Sequence, residues 1–201
     1  AGYGWEGETE SGSETDTPDF GMKKITVYTM YAKPKATRNL IEDSGINIEN
    51  WLANKVANRF ARAEGVAFVE GDGQNKPRGL LTYSNGTTHK TIEQVAMGHA
   101  SQLTADGFIK VKYSLVEDYL NRGTWLMNRL TVRDCMLLKY GDGQYIWKPG
   151  LDSDTQSSIL GLPVRMSTTM PTVAANALSI ILADFAEAYM IVDRLGITVE
   201  P

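Results

Sequence analysis

The sequence predicts an α+β protein: one long helix, then short helices and strands in mixed order. Three observations lead there. Apolar residues recur at three- and four-residue steps over 47–70, the period of one helix face. From Leu81 onward, helical and β-rich stretches alternate without a regular βαβ pattern. The two copies of Gly-Asp-Gly-Gln, at 71–74 and 141–144, are turn chemistry too short to mark an internal repeat.

Residues 1–19 are rich in Gly, Ser and Thr and carry Glu6, Glu8, Glu10, Glu14, Asp16 and Asp19. Taken alone they predict a flexible, self-repelling tail. Ile25, Val27, Tyr28, Met30 and Tyr31 among threonines predict a strand. Tyr3 and Trp5 are candidates for its partner, in a long hairpin with an acidic tip. Such a hairpin is marginal alone and needs a surface to lie on. Pro34 closes the strand, and Leu40 to Asp43 read as a helical turn stopped by Ser44-Gly45.

The long helix takes Asn47 as its N-cap and Ile48, Trp51, Leu52, Val56, Phe60, Ala63 and Ala67 as its apolar face. At 1.5 Å per residue it is roughly 35 Å long. Gly71 and Gly73 are candidates for the left-handed residue that ends it. Lys55, Arg59 and Arg62 form a basic stripe, and Asn50, Asn54 and Asn58 an amide stripe. In a lone domain both are solvated faces; in a spine that touches several neighbours they are contact faces.

Residues 82–90 read as a polar loop, and 91–100 as either strand or short helix. Helical character runs from Thr104 to Leu120, with Asp106 in the first turn, and ends at Asn121-Arg122-Gly123. A strand is predicted over 124–128, then a helix over 131–139 with Asp134 as a capping-box-like acid. Further strands are predicted over 144–147, 162–166, 178–182, 189–192 and 197–199, with a polar loop over 152–158.

With 201 residues, 42% hydrophobic and 22% charged, the chain is one large domain or two small ones with a real core. Its net charge of −4, from 24 acids and 20 bases, argues against a protein whose task is to neutralise nucleic-acid phosphates. It leaves open a container around DNA. No apolar run reaches the length of a membrane span, and the opening residues lack the pattern of a secretory signal. Cys135 is the single cysteine, so no internal disulfide forms. Its setting beside Met136, Leu137 and Leu138 predicts a buried free thiol, and synthesis inside a cell fits.

Catalytic signals are missing. His89 and His99 stand at no ligand spacing to each other or to Cys135, so no zinc centre is predicted. There is no G-x-S-x-G elbow. The glycines over 71–79 lack the Gly-Lys-Ser/Thr ending of a phosphate loop. Asp152-Ser153-Asp154 lacks the glycine and distal Glu of a calcium loop. The expectation is no cofactor and no enzyme.

The segment Phe68-Val69-Glu70-Gly71-Asp72-Gly73-Gln74-Asn75-Lys76-Pro77-Arg78-Gly79-Leu80-Leu81 resembles the one that follows the spine helix in tailed-phage major capsid proteins of the Hong Kong 97 type. Trp125-Leu126-Met127-Asn128, then Leu138-Lys139-Tyr140-Gly141-Asp142-Gly143-Gln144-Tyr145-Ile146-Trp147, then Leu160-Gly161-Leu162-Pro163-Val164 resemble the same family in the same order. Residues 35–43 resemble its lead into the spine.

The resemblance covers nearly the whole chain. It implies a Hong Kong 97-like capsid fold with an extended β-hairpin loop (1–33), the spine helix region of a peripheral domain (34–80) and an axial-type mixed-sheet domain (81–201). The implied function is a structural subunit of an icosahedral phage or prophage capsid, made in the bacterial cytoplasm and acting in the virion. Implied partners are copies of itself in capsomer rings, with scaffold and maturation protease, and neither sequence-specific nucleic acid nor membrane. Lys55, Arg59 and Arg62 on the spine are candidate assembly contacts, as are Lys23 and Lys24 in the loop. Some members join a loop lysine to a neighbour's asparagine; Met22 stands at the matching place here, so two solvated lysines is the preferred reading. Family chains start earlier and run beyond the equivalent of Pro201, which implies a fragment lacking the N-terminal arm and the C-terminal return. In such a fragment the face of Ile48, Trp51, Leu52 and Val56 is expected to be uncovered. An encapsulin-type nanocompartment shell shares the fold and is the alternative; a small hydrolase with a dispersed site is third.

Overall fold

Asn47 starts the long helix: its Oδ1 accepts from the Asn50 amide at 3.0 Å. Helix α1 then runs Ile48–Glu70, the extent the apolar period predicts. The computed structural model describes residues 25–35, 45–146 and 158–194.

Gly71 ends α1 in an extended conformation (φ −62°, ψ 137°), not the expected left-handed one, and its N–H donates to Ala67 O at 2.9 Å. Crowding is what requires glycine there, because a Cβ would run into the carbonyl oxygens of Pro77 and Ala67. The left-handed residue is Gly73, at φ +79°. Asp72 Oδ1 accepts from the Gln74 amide at 2.9 Å and turns the chain back. Gly79 N–H then donates to Gly71 O at 2.7 Å, closing the loop backbone on backbone.

Residues 25–35 carry neither helix nor strand, which corrects the strand expected from Ile25 to Tyr31. A strand exists only with a hydrogen-bonded partner, and the one expected near Tyr3 and Trp5 lies outside the described residues. The turn expected at Leu40 to Asp43 and the strand expected over 197–199 lie outside them as well.

After a 3-10 turn, Leu80–Thr82, the chain runs to residue 103 without regular elements, apart from an isolated bridge between Asn85 and Ile92. The open choice at 91–100 thus resolves to neither strand nor helix. Helix α2, Ala105–Ser114, is capped by Thr104, whose Oγ1 accepts from the Gly107 amide at 3.0 Å. It stops where Ser114 Oγ donates to Val111 O at 3.0 Å. Leu115 and Val116 are extended before the short helix α3, Glu117–Leu120, so the expected continuous helix is broken in two.

Strand β1, Thr124–Met127, leads directly into helix α4, Arg129–Met136. That helix starts before the expected Thr131 because Asn128 caps it: Oδ1 accepts from the Leu130 amide at 3.0 Å, while Nδ2 donates to Met170 O at 2.8 Å. Asp134, expected as a capping acid, pairs with Arg133 at 2.7 Å instead. Where a strand was expected over 144–147, Lys139 and Tyr145 form an isolated bridge around the second Gly-Asp-Gly turn; Trp147 lies outside the described residues.

Strand β2, Ser158–Ile159, turns through Leu160 and Gly161 (φ +51° and +82°) into β3, Leu162–Met166. Strand β4, Ile180–Ala183, precedes the short helix α5, Phe185–Ala188. Residues 189–192 form no strand, again for want of a pairing partner among the described residues.

The sheet order is β2-β3-β1-β4, with β1 parallel to β3 and antiparallel to β4. Trp125 and Met127 alternate along β1 with half-buried neighbours and are completely buried. On that face they meet Phe108 of α2, Val132 and Cys135 of α4, and Leu162 and Val164 of β3, in one apolar cluster. The α+β class with a mixed sheet is therefore observed.

Cys135 sits in this cluster as a free thiol, as expected. Burial, with a smaller contribution from Asp134, pushes its pKa from an ordinary 9.0 to about 12. Burial favours the protonated form, so this stabilisation is complete below about pH 9 and is lost as pH rises from there towards 12. In the native protein at pH 8, Cys135 is expected to resist a thiol reagent that modifies the urea-unfolded chain within minutes. Equal rates in the two states would contradict the buried placement.

Candidate assembly surface

Helix α1 buries little of itself. Ile48 and Val69 are its buried residues, Leu52, Val56 and Phe60 are half-buried, and Trp51 is 49% exposed. Of the face expected to be uncovered, Trp51 is exposed, Leu52 and Val56 are half-buried and Ile48 is buried, so that expectation is corrected at Ile48. Position explains this. The sheet core is built from α2, α4 and the strands, and α1 packs mainly on the 3-10 turn beyond its own C-terminal end. In its N-terminal half Ile48 is buried, while the other side chains are half-buried or exposed.

Lys55, Arg59 and Arg62 are all exposed, one helical turn apart on one side of α1. Lys55 Nζ lies 5.6 Å from the centre of the Trp51 ring, a cation–π contact on an open surface. Among the described residues none of the three forms an ion pair; the pairs present are Asp72–Lys76, Arg122 with Asp184 and Glu187, and Arg133–Asp134. Lys23 and Lys24 lie outside the described residues.

The C-terminal end of α1 is a junction that the sequence did not mark. Tyr28 Oη donates to Gly73 O at 2.8 Å, and Tyr189 Oη donates to Arg78 O at 2.8 Å. Thr82 Oγ1 donates to Gly79 O at 2.8 Å and lies 3.1 Å from Gly71 O. A lone tyrosine or threonine carries no pattern in a sequence, so these ties had no signal there.

Chemistry is sparse elsewhere. A groove of about 250 Å³ between the 80–97 segment and β4 is lined by Leu80, Leu81, Ile92, Leu178, Ile180 and Leu182, and among the described residues its only carboxylate is Glu93. Among the described residues no three His, Cys, Asp or Glu side chains group as metal ligands, and no helix is long and apolar enough to cross a membrane. Histidines His89 and His99 are both exposed, and His99 Nδ1 accepts from the Ser101 amide at 3.3 Å.

Against models of known families, the whole chain, residues 1–201, matches that of the phage capsid family. The chain belongs to that family. It is 24% identical to the major capsid protein of Escherichia phage T5 over 205 residues, covering 98% of this chain and 44% of that protein. In structure it is similar to the capsid of a native GTA particle, with a TM-score of 0.82, 35% identity, and coverage of 92% of this chain and 65% of that one. The capsid of an empty GTA particle gives 0.79, 36%, 92% and 64%. The phage capsid family member described here thus spans less than half of the phage T5 protein and just under two thirds of the GTA chains. The expected capsid fold agrees with these likenesses.

Proposed function

We propose that the protein is a non-enzymatic structural subunit of an icosahedral phage or prophage shell, assembling with copies of itself into capsomer rings that enclose DNA. The likeness to the native GTA capsid, over 92% of the chain at 35% identity, is the observation that carries this. Virion location and synthesis in the bacterial cytoplasm go with the proposal, as do a scaffold and a maturation protease as accessory partners. So does the division into an extended loop (1–33), a spine region (34–80) and a sheet domain (81–201).

Charge favours one contact in particular. Residues 1–19 hold six carboxylates and no Lys or Arg, while Lys55, Arg59 and Arg62 line an exposed side of α1 without ion-pair partners among the described residues. Docking the acidic stretch of one copy on the basic stripe of another offsets the stripe's three positive charges and lowers the self-repulsion of the stretch. Closed rings need this kind of heterologous contact. Lys23 and Lys24 complete the proposed contact set at the base of the loop.

Electron microscopy of the full-length protein expressed alone tests the function; a strict monomer at high concentration would sink it. The combined variant Lys55→Glu, Arg59→Glu, Arg62→Glu tests the contact. Its unfolding free energy is expected to stay within about 0.5 kcal/mol per site of the parent, as for exposed positions. Particle yield is expected to collapse. Undiminished yield would remove these three residues from the interface.

A further inference from the structure

Tyr189 follows α5 directly and reaches the loop that ends α1. Its hydroxyl donates to Arg78 O at 2.8 Å, and its ring stands edge-on to Phe68 of α1 at 6.1 Å and 65°. The segment carrying it is anchored at its root. Asp184, buried after β4, accepts from the Ala186 amide at 3.2 Å and meets Arg122, just before β1, in a charge contact at 3.0 Å. The receiving loop is closed by its own bonds: Gly79 N–H to Gly71 O at 2.7 Å and Thr82 Oγ1 to Gly79 O at 2.8 Å. The Arg78 guanidinium lies 4.2 Å over the Tyr83 ring. A continuous path therefore runs from the sheet through Arg122, Asp184, α5 and Tyr189 to the end of the long helix.

We propose that Tyr189 is a latch that fixes the angle between α1 and the sheet, and through that angle the curvature each subunit imposes on its shell. The second half rests on the capsid function proposed above. One neutral hydrogen bond to a main-chain carbonyl can open without unfolding either body. Rotation of one rigid body against another is a common way for a small local change to become a large one. Burial, with Tyr83 nearby, raises the Tyr189 pKa above that of an ordinary phenol, so the donor keeps its proton at neutral pH.

Tyr189→Phe keeps the ring against Phe68 and removes the hydroxyl alone. Spin labels on Asn54→Cys of α1 and Arg165→Cys of β3, both exposed positions, report the angle, with Cys135 shielded in the core. Tyr189→Phe is expected to broaden the distance distribution about twofold. It is also expected to speed amide exchange at Gly79 and Thr82 about three- to tenfold, the range one net hydrogen bond supports. In full-length particles viewed by electron microscopy, the variant is expected to give a wider spread of diameters. Unchanged distances and exchange overturn the latch. Broadened distances with uniform diameters overturn its link to curvature. Failure of the unsubstituted protein to form particles overturns the capsid function instead, and the spin-label distances still judge the latch.

Discussion

Trp125→Ala is expected to destabilise the protein by about 3–5 kcal/mol, the range for removing a large aromatic from a core. Trp125 has no exposed surface and sits on the central strand, opposite Val164 on one side and Leu182 on the other. Phe108 meets its ring edge-on at 5.5 Å and 71°, a geometry that adds to simple burial. Its Nε1 donates to Ile159 O at 3.0 Å, so truncation also strips a partner from β2. Urea unfolding followed by far-ultraviolet circular dichroism measures the effect. Trp51→Ala provides the contrast: with half its surface already in water, it is expected to cost less than about 1 kcal/mol. Comparable losses at the two tryptophans would show that the core has been placed wrongly.

Gly71→Ala is expected to be the next most damaging change, at about 1–3 kcal/mol or more. Its new Cβ would collide with the Pro77 and Ala67 carbonyl oxygens, and main chain cannot swing aside as a long side chain can. Relief requires opening the loop and losing the 2.7 Å bond from Gly79 N–H to Gly71 O. The other Gly-Asp-Gly-Gln copy supplies an internal control, since it makes the same local turn. Asp142 Oδ1 accepts from the Gln144 amide at 3.1 Å, and Gly143 has φ +84°, against 2.9 Å and +79° in the first copy. Around Gly141, however, nothing among the described residues lies within 4 Å of where a Cβ would stand. Gly141→Ala is therefore expected to change the unfolding free energy by no more than an exposed substitution does, about 0.5 kcal/mol. Equal shifts at the two positions would refute the claim that crowding, not turn chemistry, requires glycine at 71.

The two Gly-Asp-Gly-Gln copies also show how far the sequence alone reached. It determined what depends on neighbours within about four residues: the length of α1, its Asn47 cap, the Asp-anchored turns and the extent of β3. It also carried the ordered set of stretches that place the chain among phage capsid proteins, and the basic row of Lys55, Arg59 and Arg62. The tertiary structure decided whether a local feature is packed or open. Gly71 is enclosed while Gly141 is free; Trp125 is buried while Trp51 is half in water. It also made Asn128 the cap of α4, since that side chain is held from behind by Met170 O, 42 residues away in the chain. The same holds for Tyr189, tied to Arg78 across 111 residues. Periodicity and capping are short-range and leave a pattern in consecutive residues. Burial, strand order and single hydrogen bonds between distant segments depend on which surfaces the folded chain brings together, and consecutive residues carry no record of that.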